Sequence, residues 1–284
     1  MQNQKVLVSE IDTTNNLKSM TKTYQEVAIM GMQKTRSKVV KSRQFIEGLS
    51  TIFDNMNGYY KYEIKDVMKN LIVTNNKNAV VFISANKRFS GNIGHKLRDF
   101  FVKNYKNKEQ SIIVIGEEGK VLLQNAGFAE FEYMEFPKDE AEVNAIGQKL
   151  IQYKSIDILF GKFLSIVNQS PSVLSIGLNE QADEIAKNDQ NPNNNQKALE
   201  YLFEPSFENV VRFFVMQVPI YKFSQALYES RLSGFGSRVT SMFNASNKIE
   251  EKLEELDREL EKSKKDMQAR KQMQRLAGMS LWKK

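Results

Sequence analysis

After Ser206 the chain runs on to Lys284 with one proline, Pro219, and it keeps a helical apolar spacing to about Gly278. Within that stretch Ile249, Leu253, Leu256 and Leu260 step by four, three and four, the spacing of a coiled-coil seam, and the positions between them are almost all Glu, Lys, Arg or Asp. At about 1.5 Å per residue such a helix would be on the order of 100 Å long. That exceeds the diameter of a 284-residue globule, so the helix is expected to protrude. A helix this polar cannot bury itself, and a second long helix, from this chain or another, has to lie along it.

The N-terminal stretch supplies one. Residues 5–57 hold no proline and two glycines, Gly31 and Gly48, and Val8, Ile11, Leu17, Met20, Tyr24, Val27, Met30, Val39, Phe45, Leu49 and Phe53 fall near helical spacing. Asn55, Asn57 and Gly58 suit a left-handed C-cap. If the two helices leave a central body at residues 57 and 207 and run antiparallel, residue i faces residue 264 minus i. Ile11 then meets Leu253, Val8 meets Leu256, Met20 meets Asn244 and Tyr24 meets Thr240. Ser233, Gly234 and Gly236 oppose residues 28–31, small against small. The expected seam is Ile11, Met20, Tyr24 and Val27 with Arg238, Met242, Ile249, Leu253, Leu256 and Leu260. The pairing runs out at Leu260, opposite Gln4.

Between the helices the pattern changes. Residues 79–83, 112–115, 131–136, 156–160 and 172–176 read as strands, and 93–104 and 140–153 as helices, an alternation that predicts an α/β layer domain with a mostly parallel sheet. Near-continuous Val/Ile runs predict inner strands covered on both faces. Residues 179–196, rich in Asn and charge, read as a solvated loop. The fold class is thus α/β: a long antiparallel coiled coil of N-terminal (1–57) and C-terminal (207–284) helices plus a central Rossmann-like α/β domain (58–206).

The chemistry that the residues allow is narrow. With no cysteine, disulfides, thiolate metal sites and a Cys nucleophile are excluded, and with one histidine, His95, multi-His metal sites and separate-His triads fade. No metal site or catalytic residue is identified, and no cofactor is expected. Gly116-Glu-Glu-Gly-Lys120 lacks the spacer and Ser/Thr of a phosphate loop and reads as a turn. Residues 84–91 follow a strand and open a helix, where an α/β fold could hold a phosphate, but offer one glycine. The longest nearly apolar run, 213–221, is about half the ~20 residues needed to span a membrane. Gln2 onward has no signal-peptide pattern, so an import sequence is expected to be absent or already removed.

Charge separates along the C-terminal helix. The net charge is +7; residues 250–261 carry seven acidic and two basic side chains, which would lie beside Lys5, Lys18 and Lys22, whereas 262–284 carry eight basic and one acidic. The basic tip has no counter-charge of its own and adds Met267, Met273, Leu276, Met279, Leu281 and Trp282, so another molecule is expected to sleeve it. Three readings remain open on these residues: a noncatalytic shaft, a Rossmann-like nucleotide-binding enzyme with a coiled-coil dimerisation arm, and a basic coiled-coil nucleic-acid adaptor.

Several motifs in one order resemble the gamma subunit of rotary, F-type ATP synthases. Ile11 is followed by Thr21-Lys22-Thr23-Tyr24-Gln25-Glu26-Val27-Ala28, similar to the family's Thr-Lys-Ala-Met-x-Met-Val-Ala without its methionines. Ala85-Asn86-Lys87-Arg88-Phe89-Ser90-Gly91 stands for Ser-Asp-Arg-Gly-Leu-Cys-Gly, and Asp157-Ile-Leu-Phe-Gly-Lys-Phe163 for Asp-x-x-x-Tyr-Asn-x-Phe. Glu204-Pro-Ser206 and Ala226-Leu-Tyr-Glu-Ser230 resemble Glu-Pro-Ser and Ala-Leu-Leu-Glu-Ser, and Arg238, Met242, Ala245 and Gly278 fall on family positions. Gly234 stands where the family has Glu, Lys248 and Ile249 replace Asn-Ala, and Lys264-Lys265 replace an Arg-Gln pair that contacts a beta subunit.

The resemblance implies a noncatalytic rotor shaft coupling rotation of the membrane c-ring to ATP synthesis in an alpha/beta hexamer. Its partners would be alpha and beta subunits, small central-stalk subunits of delta or epsilon type and the c-ring, with no nucleic acid and no direct membrane span. Lys264 and Lys265 would face beta subunits, and Met273, Leu276 and Gly278 an apolar bearing. The implied place is the matrix side of the mitochondrial inner membrane, peripherally, with the cytoplasmic side of a bacterial plasma membrane as the alternative.

Overall fold

A computed structural model describes residues 2–71, 75–85, 91–106, 108–177 and 201–281, with the side chains of 2, 3, 69–71, 177 and 278–281 left aside. Asn86 to Ser90 of the 85–91 motif, the 179–196 stretch, Trp282 and the surroundings of Gly278 lie outside the described residues. The elements in chain order are α1 (Gln2–Tyr59), α2 (Lys61–Leu71), β1 (Asn78–Ile83), α3 (Ile93–Tyr105), β2 (Ser111–Ile115), α4 (Glu117–Asn125), β3 (Glu132–Met134), α5 (Glu140–Leu150), β4 (Ser155–Phe163), β5 (Gln169–Gly177) and α6 (Phe207–Leu281).

The sheet order is β3-β2-β1-β4-β5; β1 pairs parallel with β2 and β4, β2 parallel with β3, and β5 returns antiparallel on β4. Alternation within β1 explains its unbroken apolar run. Ala79, Val81 and Ile83 pack with Phe223, Ala226 and Leu227 of α6 and Val143 and Leu150 of α5, whereas Val80 and Phe82 pack with Leu97 and Phe101 of α3 and Leu123 of α4. Both faces are covered, so both parities must be apolar. A third cluster joins Met56 of α1, Ile64 and Met68 of α2, and Val211, Phe214, Val215 and Val218 of α6.

Local chemistry fixes the ends. Ser206 accepts a hydrogen bond on Oγ from the Asn209 amide at 3.3 Å and caps α6. Asp139 caps α5 by accepting from the Glu142 amide at 2.9 Å, while Glu142 reaches back to the Lys138 amide at 2.8 Å. Pro219 sits inside α6 and the helix continues through it.

Two expectations are corrected here. Residues 116–120 are not a free turn: Gly116, at φ +100°, is the N-cap of α4, whose helical residues begin at Glu117. A residue with a Cβ could not take that conformation without strain, and a Cβ there would meet the Ser84 carbonyl at 2.8 Å. And α1 does not stop at its Asn-Gly pair; it passes through Gly58 to Tyr59, where the Tyr60 amide still bonds Met56 O at 2.8 Å. Gly58 tolerates a left-handed cap but does not compel one.

The chain packs as two units, Met1–Ile29 with Val239–Lys284, and Met30–Arg238.

Candidate functional site

In the first unit, the α1 residues with reduced exposure include Gln4, Leu7, Ile11, Thr14, Lys18, Thr21, Gln25 and Ala28, which step alternately by threes and fours. On α6 they include Val239, Met242, Ser246, Ile249, Leu253, Leu256, Leu260, Ser263 and Met267, again in threes and fours. Leu256 is the deepest of these, 2% exposed. Ile11, Met242, Ile249, Leu253, Leu256 and Leu260 therefore lie on the seam. Met20, Tyr24 and Val27 do not: they are 55%, 48% and 55% exposed, and with Leu17, at 50%, they form a second stripe on another face of α1.

The α1 seam is polar through its middle, and its hydroxyls are satisfied within the helix. Thr14 Oγ1 donates to Glu10 O at 2.7 Å and Thr21 Oγ1 to Leu17 O at 2.8 Å. A threonine so bonded turns its methyl group outward and can occupy an apolar line. Lys18 Nζ meets Glu250 at 2.9 Å. That hydrogen bond and charge, helped by Lys22, hold the Glu250 carboxyl below its usual range.

In the second unit the same two helices continue to face each other. Phe235 lies over Gly31, so close that a Cβ on Gly31 would stand 2.5 Å from its ring; Lys38 lies 5.7 Å over the Tyr228 ring, and Phe45 meets Tyr221 edge-on at 5.1 Å. Phe53 packs on Phe214 at 5.2 Å. The residue numbers of these pairs add to 266 or 267, and those of Lys18 and Glu250 to 268, where 264 was expected. The cause is the two extra residues of α1, which ends at Tyr59 opposite the start of α6 at Phe207. The small-against-small crossing is corrected with it: Gly31 faces Phe235, and Gly234 has no atom within 4 Å of where its Cβ would be.

Arg238 lies in this second unit, half-buried, its guanidinium 5.8 Å over the Phe235 ring; burial pulls its pKa down against the charge of Glu118. Sequence reading missed Glu229. It is 3% exposed and accepts on Oε1 from Arg43 Nε, while Arg43 Nη2 reaches the Phe163 carbonyl at 3.5 Å. A charged residue in an otherwise apolar helix stretch, with a basic residue on the facing helix, was the available signal.

At each of the two helix N-termini where an α/β body could hold phosphate, one backbone amide is bonded to a serine hydroxyl of the protein itself. At α4 the Gly119 amide donates to Ser84 Oγ at 2.7 Å, and Ser84 in turn donates to Ile115 O at 3.0 Å. At α3 the Ile93 amide donates to Ser237 Oγ, 3.2 Å away on α6. Donors spent on buried hydroxyls are not offered to an anion. Among the described residues no group of three or more His, Cys, Asp or Glu could hold a metal ion, and no helix is long and apolar enough to cross a membrane. His95 is an exposed residue of α3. At the far end of α6, Lys264, Lys265, Met273 and Leu276 are all exposed, the last two at 73% and 66%; Gly278 lies in the helix.

A sheet covered on both faces and two long helices that pair within each unit are the architecture of a shaft-bearing α/β subunit. A family model described as ATP synthase matches residues 3–267. The ATP synthase gamma chain of Rickettsia felis is 25% identical over 281 residues, 93% of this chain and 94% of that one; the Staphylococcus saprophyticus gamma chain is 23% identical over 267 residues, 88% and 90% of the two. Among solved structures, the chain is similar in fold to one in the Euglena gracilis mitochondrial ATP synthase OSCP/F1/c-ring assembly, with TM-score 0.67 and 12% identity over 98% of this chain and 94% of that one. A chain of the Tetrahymena thermophila central stalk and c-ring gives 0.56 and 17% over 80% and 99%. The chain belongs to the gamma-chain family of ATP synthases, and as such is a noncatalytic subunit of an enzyme complex.

Proposed function

We propose that the chain is the central rotor shaft of a proton-translocating ATP synthase, carrying rotation of the membrane ring into the alpha/beta catalytic hexamer. The observation that carries this reading is the family match along residues 3–267, which takes in both long helices and the body between them. Residues 1–57 and 207–284 act as the shaft. Residues 58–206 act as the body, resting on the c-ring beside small central-stalk subunits of delta or epsilon type.

The exposed stripe of Leu17, Met20, Tyr24 and Val27, and the exposed Met273 and Leu276, are apolar surfaces that a surrounding hexamer would cover. Lys264 and Lys265 would face acidic or carbonyl-lined surfaces of beta subunits, with Gly278 in the bearing above them. The mitochondrial inner membrane, matrix side, is the proposed place, supported by the likeness to mitochondrial rotors; the cytoplasmic face of a bacterial plasma membrane is the alternative, supported by bacterial relatives.

The test is purification of the tagged chain from its own cells with its partners identified. Alpha, beta, stalk and ring subunits are expected together; recovery of the chain with nucleic acid, or as a stand-alone dimer, rejects the reading. Nucleotide titration of the isolated chain is expected to reveal no tight site, and a saturable one would restore the enzyme reading.

A further inference from the structure

The body leaves α1 at Tyr60 and enters α6 at Phe207, and these two rings pack together with centroids 5.5 Å apart. Both covalent joins therefore lie side by side, and further along the second unit side chains do the holding. On α6 the body's grip is direct. Ile220 lies so close to Gly147 of α5 that a Cβ there would stand 2.9 Å from it, Ser233 stands as close to Gly161 of β4, and the Ile93 amide bonds Ser237. On α1 the pattern differs, because Gly31, Lys38, Phe45 and Phe53 all meet α6 rather than the sheet.

Arg43 of α1 meets both. Its Nε donates to Oε1 of Glu229 on α6, and its Nη2 reaches the carbonyl of Phe163, the last residue of β4, at 3.5 Å. The Phe163 ring in turn lies against α6 at Gly236, where a Cβ would be 2.9 Å from it. One planar guanidinium, whose donors are fixed relative to one another, thus joins α1, α6 and the end of β4. Stability alone does not call for this pair. Glu229 is buried and its Oε2 has no hydrogen-bond partner among the described residues, and apolar residues of similar volume often replace such a pair without loss. What they cannot replace is direction. Apolar contact is non-directional and tolerates sliding, whereas a forked, charge-assisted hydrogen bond is lost when one element turns or shifts against the other.

From the two bonds of Arg43 and the seat of Phe163 on Gly236, we infer that Arg43 is a positioning residue for rotary coupling, a tie that makes α1, α6 and the end of β4 turn as one. Torque on the body then reaches both long helices rather than α6 alone. The inference rests on the rotor reading above and adds to it the residue through which α1 is driven.

The experiment reconstitutes the complete ATP synthase in sealed vesicles with the parent chain or a variant, and reads protons pumped per ATP hydrolysed beside the melting temperature of the isolated chain. A parent chain that does not assemble into coupled enzyme overturns the rotor reading, and the tie with it. Against a coupled parent, Arg43→Met with Glu229→Leu should assemble and melt close to the parent, yet pump about twofold fewer protons per ATP, or fewer still. Arg43→Lys, which replaces the fork by one freely rotating point charge, should lose coupling by less. Lys38→Met removes a contact between α1 and α6 that does not involve the sheet, and should leave the ratio at the parent's value. A merely structural pair predicts another pattern, with coupling that follows melting temperature and returns in the double apolar variant. Parent-level coupling in the folded double variant overturns the inference; if that variant does not fold, parent-level coupling by Arg43→Lys does so.

Discussion

Two glycines of similar appearance in the sequence have opposite surroundings. Gly31 lies under the Phe235 ring, so Gly31→Leu should overpack the helix pair at a cost of ~1–3 kcal/mol, read as a lower urea midpoint. Gly234 has no atom within 4 Å of where its Cβ would be, so Gly234→Ala should be neutral or stabilising by up to about 1 kcal/mol on helix propensity alone. Equal losses at both positions would mean that the space over Gly234 does not exist. The Arg43–Glu229 pair offers a sharper contrast. Glu229 is 4% exposed at its side chain and Arg43 is 43% exposed, so removing Arg43 strands a buried carboxylate while water can still reach its place. Arg43→Ala should therefore cost about 1.5–3 kcal/mol, the range for a hydrogen bond to a charged group, and Arg43→Met with Glu229→Leu should recover most of it. A double variant as unstable as the two single losses added together would reject that account. The Lys18–Glu250 pair has the usual carboxylate sign. Its contribution is present above the unfolded carboxyl's ordinary pKa and is lost as pH falls through the depressed folded value, so the difference in melting temperature between the parent chain and Lys18→Ala should shrink below about pH 4.

At the level of the helices, the register can be measured by crosslinking. The seam spacings of α1 and α6 and the Lys18–Glu250 pair predict a sum of about 267 for facing residues, which would set Ile11 beside Leu256 and Thr14 beside Leu253. Cysteines at 11 and 256 should oxidise to an intramolecular disulfide in a chain with no native thiol, faster than cysteines at 11 and 253. The reverse order of rates would restore the sum of 264. The C-terminal half of this seam was legible because Ile249, Leu253, Leu256 and Leu260 are large apolar residues set between strongly charged neighbours. The N-terminal half was not. There the buried line is Thr14, Lys18, Thr21 and Gln25, while Leu17, Met20, Tyr24 and Val27 repeat with the same period one face away, so an apolar count selects the exposed stripe. The hydroxyls that make threonine acceptable in a seam bond within the helix, a satisfaction that periodicity cannot register. The sheet was legible for a plainer reason, since a strand covered on both faces must be apolar at both parities. Helix α4 was not, because a Gly-Glu-Glu-Gly stretch has the composition of a turn and becomes a helix start only through the Ser84 hydroxyl and the left-handed Gly116.

For the molecule as a working part, the proposed shaft contact is tested at the end of α6. Cover on the first unit's seam extends to Met267, seven residues past Leu260, and residues 268–277 are exposed throughout. Lys264 and Lys265 therefore stand beside the last turns of the seam and belong to the same solvent-facing surface as Met273 and Leu276. An exposed ion pair contributes only about 0–1 kcal/mol, so replacing one lysine should change little. Reversing both to Glu is different, because on the proposed contact repulsion would then be met at every beta subunit that the shaft passes. In reconstituted enzyme, Lys264→Glu with Lys265→Glu should depress ATP hydrolysis and synthesis while the complex still assembles. A chain ending at Lys262 loses one large seam residue, Met267, which is only half-buried, so it should fold with a melting temperature close to the parent's yet lose coupling between proton flow and synthesis. Unfolding of that truncated chain on its own would assign the tip to the protein's own core. Unchanged turnover in both variants would instead remove Lys264, Lys265 and the bearing residues Met273, Leu276 and Gly278 from the contact between shaft and hexamer.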